Sequence, residues 1–159
     1  MLTKDQQIIN QDCFLIKSNK RKIHPGAESV HKISTDLCDL FGVPESFLCV
    51  LFDRYLSKAD ILVAHNLAFD LKMIDILFAR NHFDIDLNIK QFCTMKASTN
   101  LCKLPGRYGN YKWPKLSELY RFLFNEDFEN VHDALADVKA TMRCYFEMPR
   151  EVVRIQNTK

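Results

Sequence analysis

Ile61-Leu62-Val63-Ala64-His65-Asn66-Leu67-Ala68-Phe69-Asp70 is the stretch on which the reading of the whole chain turns. Four unbroken apolar residues are the pattern of a short strand buried on both faces, as in the parallel sheets of α/β proteins. Leu67, Leu71, Ile74 and Leu77 or Phe78 then recur at helical spacing, so a helix follows the strand directly. His65 and Asn66 fall at the junction, and in open α/β sheets ligands bind outside the carboxyl ends of the strands. Asp70 lies in the helix's first turn, where the macrodipole stabilises an anion and keeps the carboxylate ionised for a metal. The same residues also read, more plainly, as a capped and charged helix start.

Toward the C-terminus, a second short strand falls near Gln91 to Cys93, with a helix through about Cys102. Leu104 to Lys115 reads as an irregular loop. Leu116, Leu119, Tyr120 and Leu123 mark one more helix, and Ala134 to Phe146 another. Toward the N-terminus, Ile8 to Lys17 reads as a strand, with Lys4-Asp5-Gln6-Gln7 the turn into it and Met1-Leu2-Thr3 the stub of an earlier one. Ser18 to Gly26 is a polar loop holding the basic run Lys20-Arg21-Lys22 and a Pro25-Gly26 breaker. Ser34 or Thr35 caps a short helix ending near Gly42, and Pro44 opens the next. An opening hairpin followed by strand–helix alternation predicts a mixed α/β layer fold, read as one domain over residues 1–159 without a linker.

Composition narrows the function classes. The hydrophobic fraction of 47% and charged fraction of 26% are those of a globular chain, which excludes a disordered, collagenous or disulfide-scaffold protein. A net charge of +2 decides nothing about partners, so any nucleic-acid reading rests on local patches. Cys13, Cys38, Cys49, Cys93, Cys102 and Cys144 form no Cys-x-x-Cys pair, which predicts free, mostly buried thiols in a reducing cytoplasm. The apolar run Phe47 to Phe52 is far short of the ~18 residues of a membrane span, so a cytoplasmic protein with no membrane association is expected.

His132-Asp133-Ala134-Leu135-Ala136-Asp137 opens the last long helix. Residues five apart on a helix point about 140° apart, so His132 and Asp137 converge only if His132 stands before the helix start. Asp133 and Asp137 share a face at i, i+4, where like charges are mildly destabilising without a cation. A solvated acidic turn beside a surface histidine is the plainer alternative. Together the two clusters offer two carboxylates and an imidazole at helix entrances. Mg²⁺ takes oxygen ligands and keeps waters, and a histidine titrating near neutrality can deprotonate one of them. Such a site suits phosphodiester hydrolysis, in which metals ~3.5–4 Å apart activate water and stabilise the leaving oxygen.

With these residues in hand, the chain resembles the DEDDh, or DnaQ-like, 3′–5′ exonucleases of the ribonuclease H-like superfamily, which include the proofreading epsilon subunit of bacterial DNA polymerase III. His65-Asn66-x-x-Phe69-Asp70 looks like the family's second exonuclease motif, and His132-x-Ala134-x-x-Asp137 like its third. Ala27-Glu28-Ser29-Val30-His31-Lys32-Ile33-Ser34, Phe92-Cys93-Thr94-Met95 and Lys115-Leu116-Ser117-Glu118-Leu119-Tyr120 fit supporting stretches. The resemblance implies a ribonuclease H-like mixed sheet flanked by helices and a Mg²⁺- or Mn²⁺-dependent exonuclease working on a single-stranded 3′ end, with a DNA polymerase as a possible neighbour. It makes Asp70 and Asp137 metal ligands and His132 the general base. His65, Asn66, Phe69 and Thr94 would shape the nucleotide pocket. Core packing is the alternative for Phe69, and a histidine bonded to backbone the alternative for His65.

The family's first, central strand carries Asp-x-Glu, and no Asp-x-Glu precedes His65. Its absence predicts two strands facing each other across ~9–10 Å, with edges open to self-association or another chain. It also predicts weak metal binding and little turnover unless those acids come from outside. Asp5, Asp12 and Asp133 read as ordinary solvated carboxylates rather than substitutes. A degenerate nucleic-acid-binding or protein-interaction module of the same fold is the rival reading.

A third feature concerns substrate. Between Lys103 and Arg121, five cations (Lys103, Arg107, Lys112, Lys115, Arg121) stand against Glu118, a local charge of +4, with Tyr108, Tyr111 and Trp113 interleaved. Basic residues for phosphates and aromatics for stacking suit a single-strand channel. A solvated loop anchored to the core by its aromatics is the alternative.

Overall fold

The computed structural model describes residues 1–129, 133–150, 152 and 153. The chain opens with an antiparallel hairpin, β1 (Leu2–Lys4) and β2 (Gln7–Asn10), with Lys4 opposite Gln7. Asp5 (φ 50°) and Gln6 (φ 67°) both take positive φ, the requirement of a two-residue turn matched to strand twist. The strand expected over Ile8 to Lys17 stops at Asn10 instead. There the Asn10 amide and the Asp12 carboxylate both bond the Tyr55 hydroxyl, and among the described residues the stretch up to Lys17 pairs through a bridge from Ile16 to Val43.

Helix α1 (Pro25–His31) occupies the end of what was expected to be a loop. Proline is tolerated at the first helical position because its missing N–H has no helical partner there. The His24 ring caps the turn by accepting from the Gly26 N–H at 3.1 Å. Ser34 caps α2 (Thr35–Phe41), as expected, through a bond from the Leu37 N–H. Gly42 then lets the chain pass close to its neighbours. A Cβ at this position would lie 2.2 Å from the Cys38 carbonyl oxygen and 2.5 Å from the Lys17 nitrogen, both rigid backbone atoms. Gly42→Ala is therefore expected to destabilise the fold by about 1–3 kcal/mol through overpacking, measured by denaturant unfolding. An unchanged midpoint would contradict that close approach.

Pro44 precedes α3 (Glu45–Leu56) as its N-cap. Strand β3 (Ile61–Ala64), helix α4 (Leu67–Arg80) and strand β4 (Lys90–Cys93) form a parallel unit with Ile61 opposite Lys90 and Ala64 opposite Cys93. Ile61 to Ala64 are each only half-buried, against the expectation of burial on both faces. Among the described residues β3 has one hydrogen-bonded neighbour, so its other edge carries no ladder. Likewise, the hairpin and the parallel pair are separate two-stranded sheets.

Short helices α5 (Thr94–Ala97) and α6 (Thr99–Cys102) lead to the expected loop, which contains one 3-10 turn at Arg107–Gly109. Helices α7 (Leu116–Phe124) and α8 (Ala134–Glu147) follow. They pack on each other through Leu119, Tyr120, Ala140 and Cys144. Phe92 of β4, fully buried, meets Tyr145 of α8 edge-on at 5.1 Å, which seats α8 against the parallel strands. Phe78 and Phe52 join α4 to α3 in the same way at 6.2 Å. All six cysteines are free, and four of them are buried. Among the described residues, no helix is long and apolar enough to cross a membrane.

Candidate active site

Because β3 and β4 run parallel and in register, their carboxyl ends lie side by side at Ala64 and Cys93. The next residues, His65 and Thr94, meet: His65 Nδ1 lies 2.9 Å from Thr94 Oγ1. The other ring nitrogen, Nε2, is 3.0 Å from the Pro114 carbonyl oxygen. A carbonyl only accepts, so Nε2 carries the proton; the single Thr94 hydroxyl proton is offered between Nδ1 and the Ala64 carbonyl oxygen. Both nitrogens are thus engaged by the protein, one of them by backbone. Thr94 has no exposed surface and also sits 3.2 Å from the Ala64 carbonyl oxygen.

Burial lowers the His65 pKa, opposed by the bond to Pro114 and by the nearby Asp137 carboxylate. A histidine depressed in the folded state contributes stability above its unfolded value of ~6.5, and that contribution is lost as pH falls below it. Melting temperatures are therefore expected to drop from pH 7.5 to 5.5 more steeply in this chain than in His65→Gln. Parallel slopes would contradict the assignment.

Asn66 starts α4 in the left-handed region (φ 72°), exposed and without a side-chain capping bond. A non-glycine residue held there costs of order 1 kcal/mol or more, which the packed strand–helix junction has to offset. Phe69 is 59% exposed, which sets aside core packing for its ring. Asp70 is half-buried in the first turn. Desolvation pushes its carboxyl above the ordinary value, with a bond from its own backbone N–H only partly offsetting this, a shift opposite to the one expected from the macrodipole.

Asp137 lies in the first turn of α8, and its N–H donates to the Asp133 carbonyl at 2.9 Å. Asp133 is the N-cap, with its carboxylate accepting from the Leu135 and Ala136 N–H groups at 3.1 and 2.9 Å. It is extended rather than helical, so the expected like-charge pair with Asp137 on one helix face does not form. His65 and Thr94 thus meet at the strand ends, the Asp137 charge acts on the His65 ring, and Asn66, Phe69 and Asp70 lie at the helix start that follows. His132, expected to be the base, lies outside the described residues.

The donor chemistry of Asp70 and Asp137 fits Mg²⁺ or Mn²⁺, which take carboxylate oxygens and complete their shells with water and substrate phosphate. It does not by itself make a two-ion site. Among the described residues, no three His, Cys, Asp or Glu side chains lie close enough to hold a metal ion.

The aromatics of the basic loop face solvent rather than the core: Tyr108 is 97% exposed and Trp113 61%. Lys112 pairs with Glu118 at 2.5 Å and Arg121 with Asp127 at 2.7 Å. Among the described residues no ion pair involves Lys103, Arg107 or Lys115. Sequence reasoning missed the Pro114 carbonyl, because a backbone acceptor leaves no mark in side-chain identity.

A model of the exonuclease family RNase_T matches residues 2–145. The chain belongs to this exonuclease family. Among solved structures, this RNase_T exonuclease chain is similar to E. coli exonuclease I in complex with a dA16 oligonucleotide, with a TM-score of 0.71 at 17% identity. At that identity the likeness is one of fold, the mixed α/β architecture with small sheets flanked by helices. The match covers 94% of this chain and 36% of the other, so the chain spans about a third of that enzyme's length. No curated protein matches it in sequence.

Proposed function

We propose that the chain is a Mg²⁺- or Mn²⁺-dependent 3′–5′ exonuclease domain of the DEDDh type, acting on the 3′ end of single-stranded DNA or RNA. One observation supports the reading: His65 meets Thr94 at the carboxyl ends of two parallel strands, α8 packs on β3, and the Asp137 charge acts on the His65 ring. Membership of an exonuclease family supports hydrolysis, and the two motifs support the polarity and the branch.

In this reading Asp70 and Asp137 hold the ion through carboxylate oxygens, and His132 takes a proton from the attacking water. The ion, when bound, supplies charge neutralisation and Lewis-acid polarisation at the scissile phosphate. Asn66 borders the terminal nucleotide, and the exposed Phe69 ring stacks on its base. Thr94, fully buried, acts through His65. Lys103, Arg107 and Lys115 neutralise backbone phosphates, and Tyr108, Tyr111 and Trp113 offer stacking faces to the strand behind the end.

A second reading, a nucleic-acid-binding module of the same fold without hydrolysis, is favoured by the lack of a three-donor metal group among the described residues. Incubation of a single-stranded oligonucleotide with Mn²⁺ separates the two. Release of mononucleotides that stops on adding EDTA supports the nuclease. Binding without release at any metal concentration supports the module.

A further inference from the structure

Loop residues 103–115 carry the exposed aromatics, and the turn from Asn66 to Asp70 carries an acid. These segments are far apart in sequence, and one side chain joins them. Among the described residues the loop's other hydrogen bonds run within itself and to its flanking helices. The Lys112 N–H donates to the Leu104 carbonyl, the Gly106 N–H to the Asn110 carbonyl, and Lys112 Nζ to Glu118. Among the described residues, the bond from His65 Nε2 to the Pro114 carbonyl is the hydrogen bond that reaches from the β3–α4 junction to this loop.

Pro114 is fully buried, while Trp113 beside it is 61% exposed. The loop therefore has a fixed root at Pro114 and an aromatic face just outside it. At the other nitrogen of the ring, Thr94 Oγ1 lies 2.9 Å from Nδ1 and holds the ring's orientation toward that root.

We infer that His65 is a positioning residue, whose bonds to Pro114 and Thr94 hold the basic, aromatic loop in register with the Asn66–Asp70 turn and so set how a single strand is gripped. Its consequence for turnover rests on the nuclease reading, but the latch itself does not. A ring with both nitrogens occupied by the protein is suited to holding a wall of the site, not to touching the reacting phosphate.

Trp113 is the chain's one tryptophan, so its fluorescence reports the loop root directly. His65→Gln keeps an amide donor close to the position of Nε2, whereas His65→Asn is too short to reach Pro114. His65→Asn is expected to make Trp113 more accessible to acrylamide and to weaken binding of a labelled single-stranded oligonucleotide in EDTA about tenfold, the scale of one lost hydrogen bond. Where turnover is measured, KM rises with the Kd and kcat stays within about twofold. His65→Gln restores the quenching and brings binding to within about threefold of the parent.

Asn and Gln variants that are both folded and indistinguishable would overturn the inference, as would unchanged Trp113 quenching in a folded His65→Asn protein. Should His65→Asn fail to fold, Thr94→Val takes its place. It removes the hydroxyl that orients the ring through Nδ1, and unchanged quenching there overturns the inference equally. A loosened Trp113 in a chain that binds but never cleaves upholds the latch and rejects the nuclease reading. Active protein whose Trp113 and KM ignore His65 does the reverse.

Discussion

Asp137→Ala is expected to cut Mn²⁺-supported nucleotide release by about a thousand-fold or more, because several kcal/mol of charge stabilisation go with the ligand at ~1.4 kcal/mol per decade. The substitution is structurally mild. Alanine is the best helix former. The Asp137 backbone bond to the Asp133 carbonyl does not involve its side chain, and Asp133 keeps capping α8 through Leu135 and Ala136. The fold and oligonucleotide binding in EDTA should therefore survive, the latter within about twofold, as expected for a loss confined to the chemical step. Initial rates at saturating oligonucleotide decide the matter. A variant keeping more than about a tenth of the parent rate would remove Asp137 from the ligand set, since a lost metal ligand costs far more than one decade.

Asp70→Asn is expected to stop release while making the metal-free protein more stable. The half-buried carboxyl is held above its ordinary pKa by desolvation. A raised carboxyl favours the folded state at low pH, and that advantage is lost as pH rises through the folded value. At neutral pH the ionised side chain is thus a cost, which the neutral amide avoids. Relief of such a functional charge typically returns ~0.5–1 kcal/mol, or roughly 1–4 °C in Tm for a chain of this size. Melts in EDTA at pH 7 test the gain, which should vanish near pH 3, where Asp70 is protonated in both states. A lower Tm for the asparagine variant at pH 7 would contradict the account.

The elements around the site were legible because their signals are local. Ile61–Ala64 as an apolar run, Asn66 at the junction and Leu67, Leu71 and Phe78 at helical spacing need no partner to be read. The N-terminal third was less legible because competing local signals met there. Pro25-Gly26 breaks a chain in most contexts, yet here Pro25 is the first helical residue under the His24 cap. The apolar run Cys13 to Ile16 bounded by polar residues reads as a strand, but the chain leaves the ladder after Asn10, where Asn10 and Asp12 bond Tyr55 instead. At the site, the macrodipole argument for Asp70 took a few tenths of a kcal/mol and left out the burial that opposes it. The contact of His65 with Pro114 spans 49 positions and ends on a carbonyl oxygen, so only the folded chain displays it.

The central claim is tested most directly with one single-stranded oligonucleotide labelled separately at each end and incubated with the chain and Mn²⁺. The account predicts slow, Mn²⁺-dependent loss of the 3′ label as a mononucleotide, at the low turnover of a chain with no Asp-x-Glu before His65, a descending ladder from the 5′-labelled strand, and neither in EDTA. Release of the 5′ label first, or no metal-dependent shortening of either strand, would contradict it.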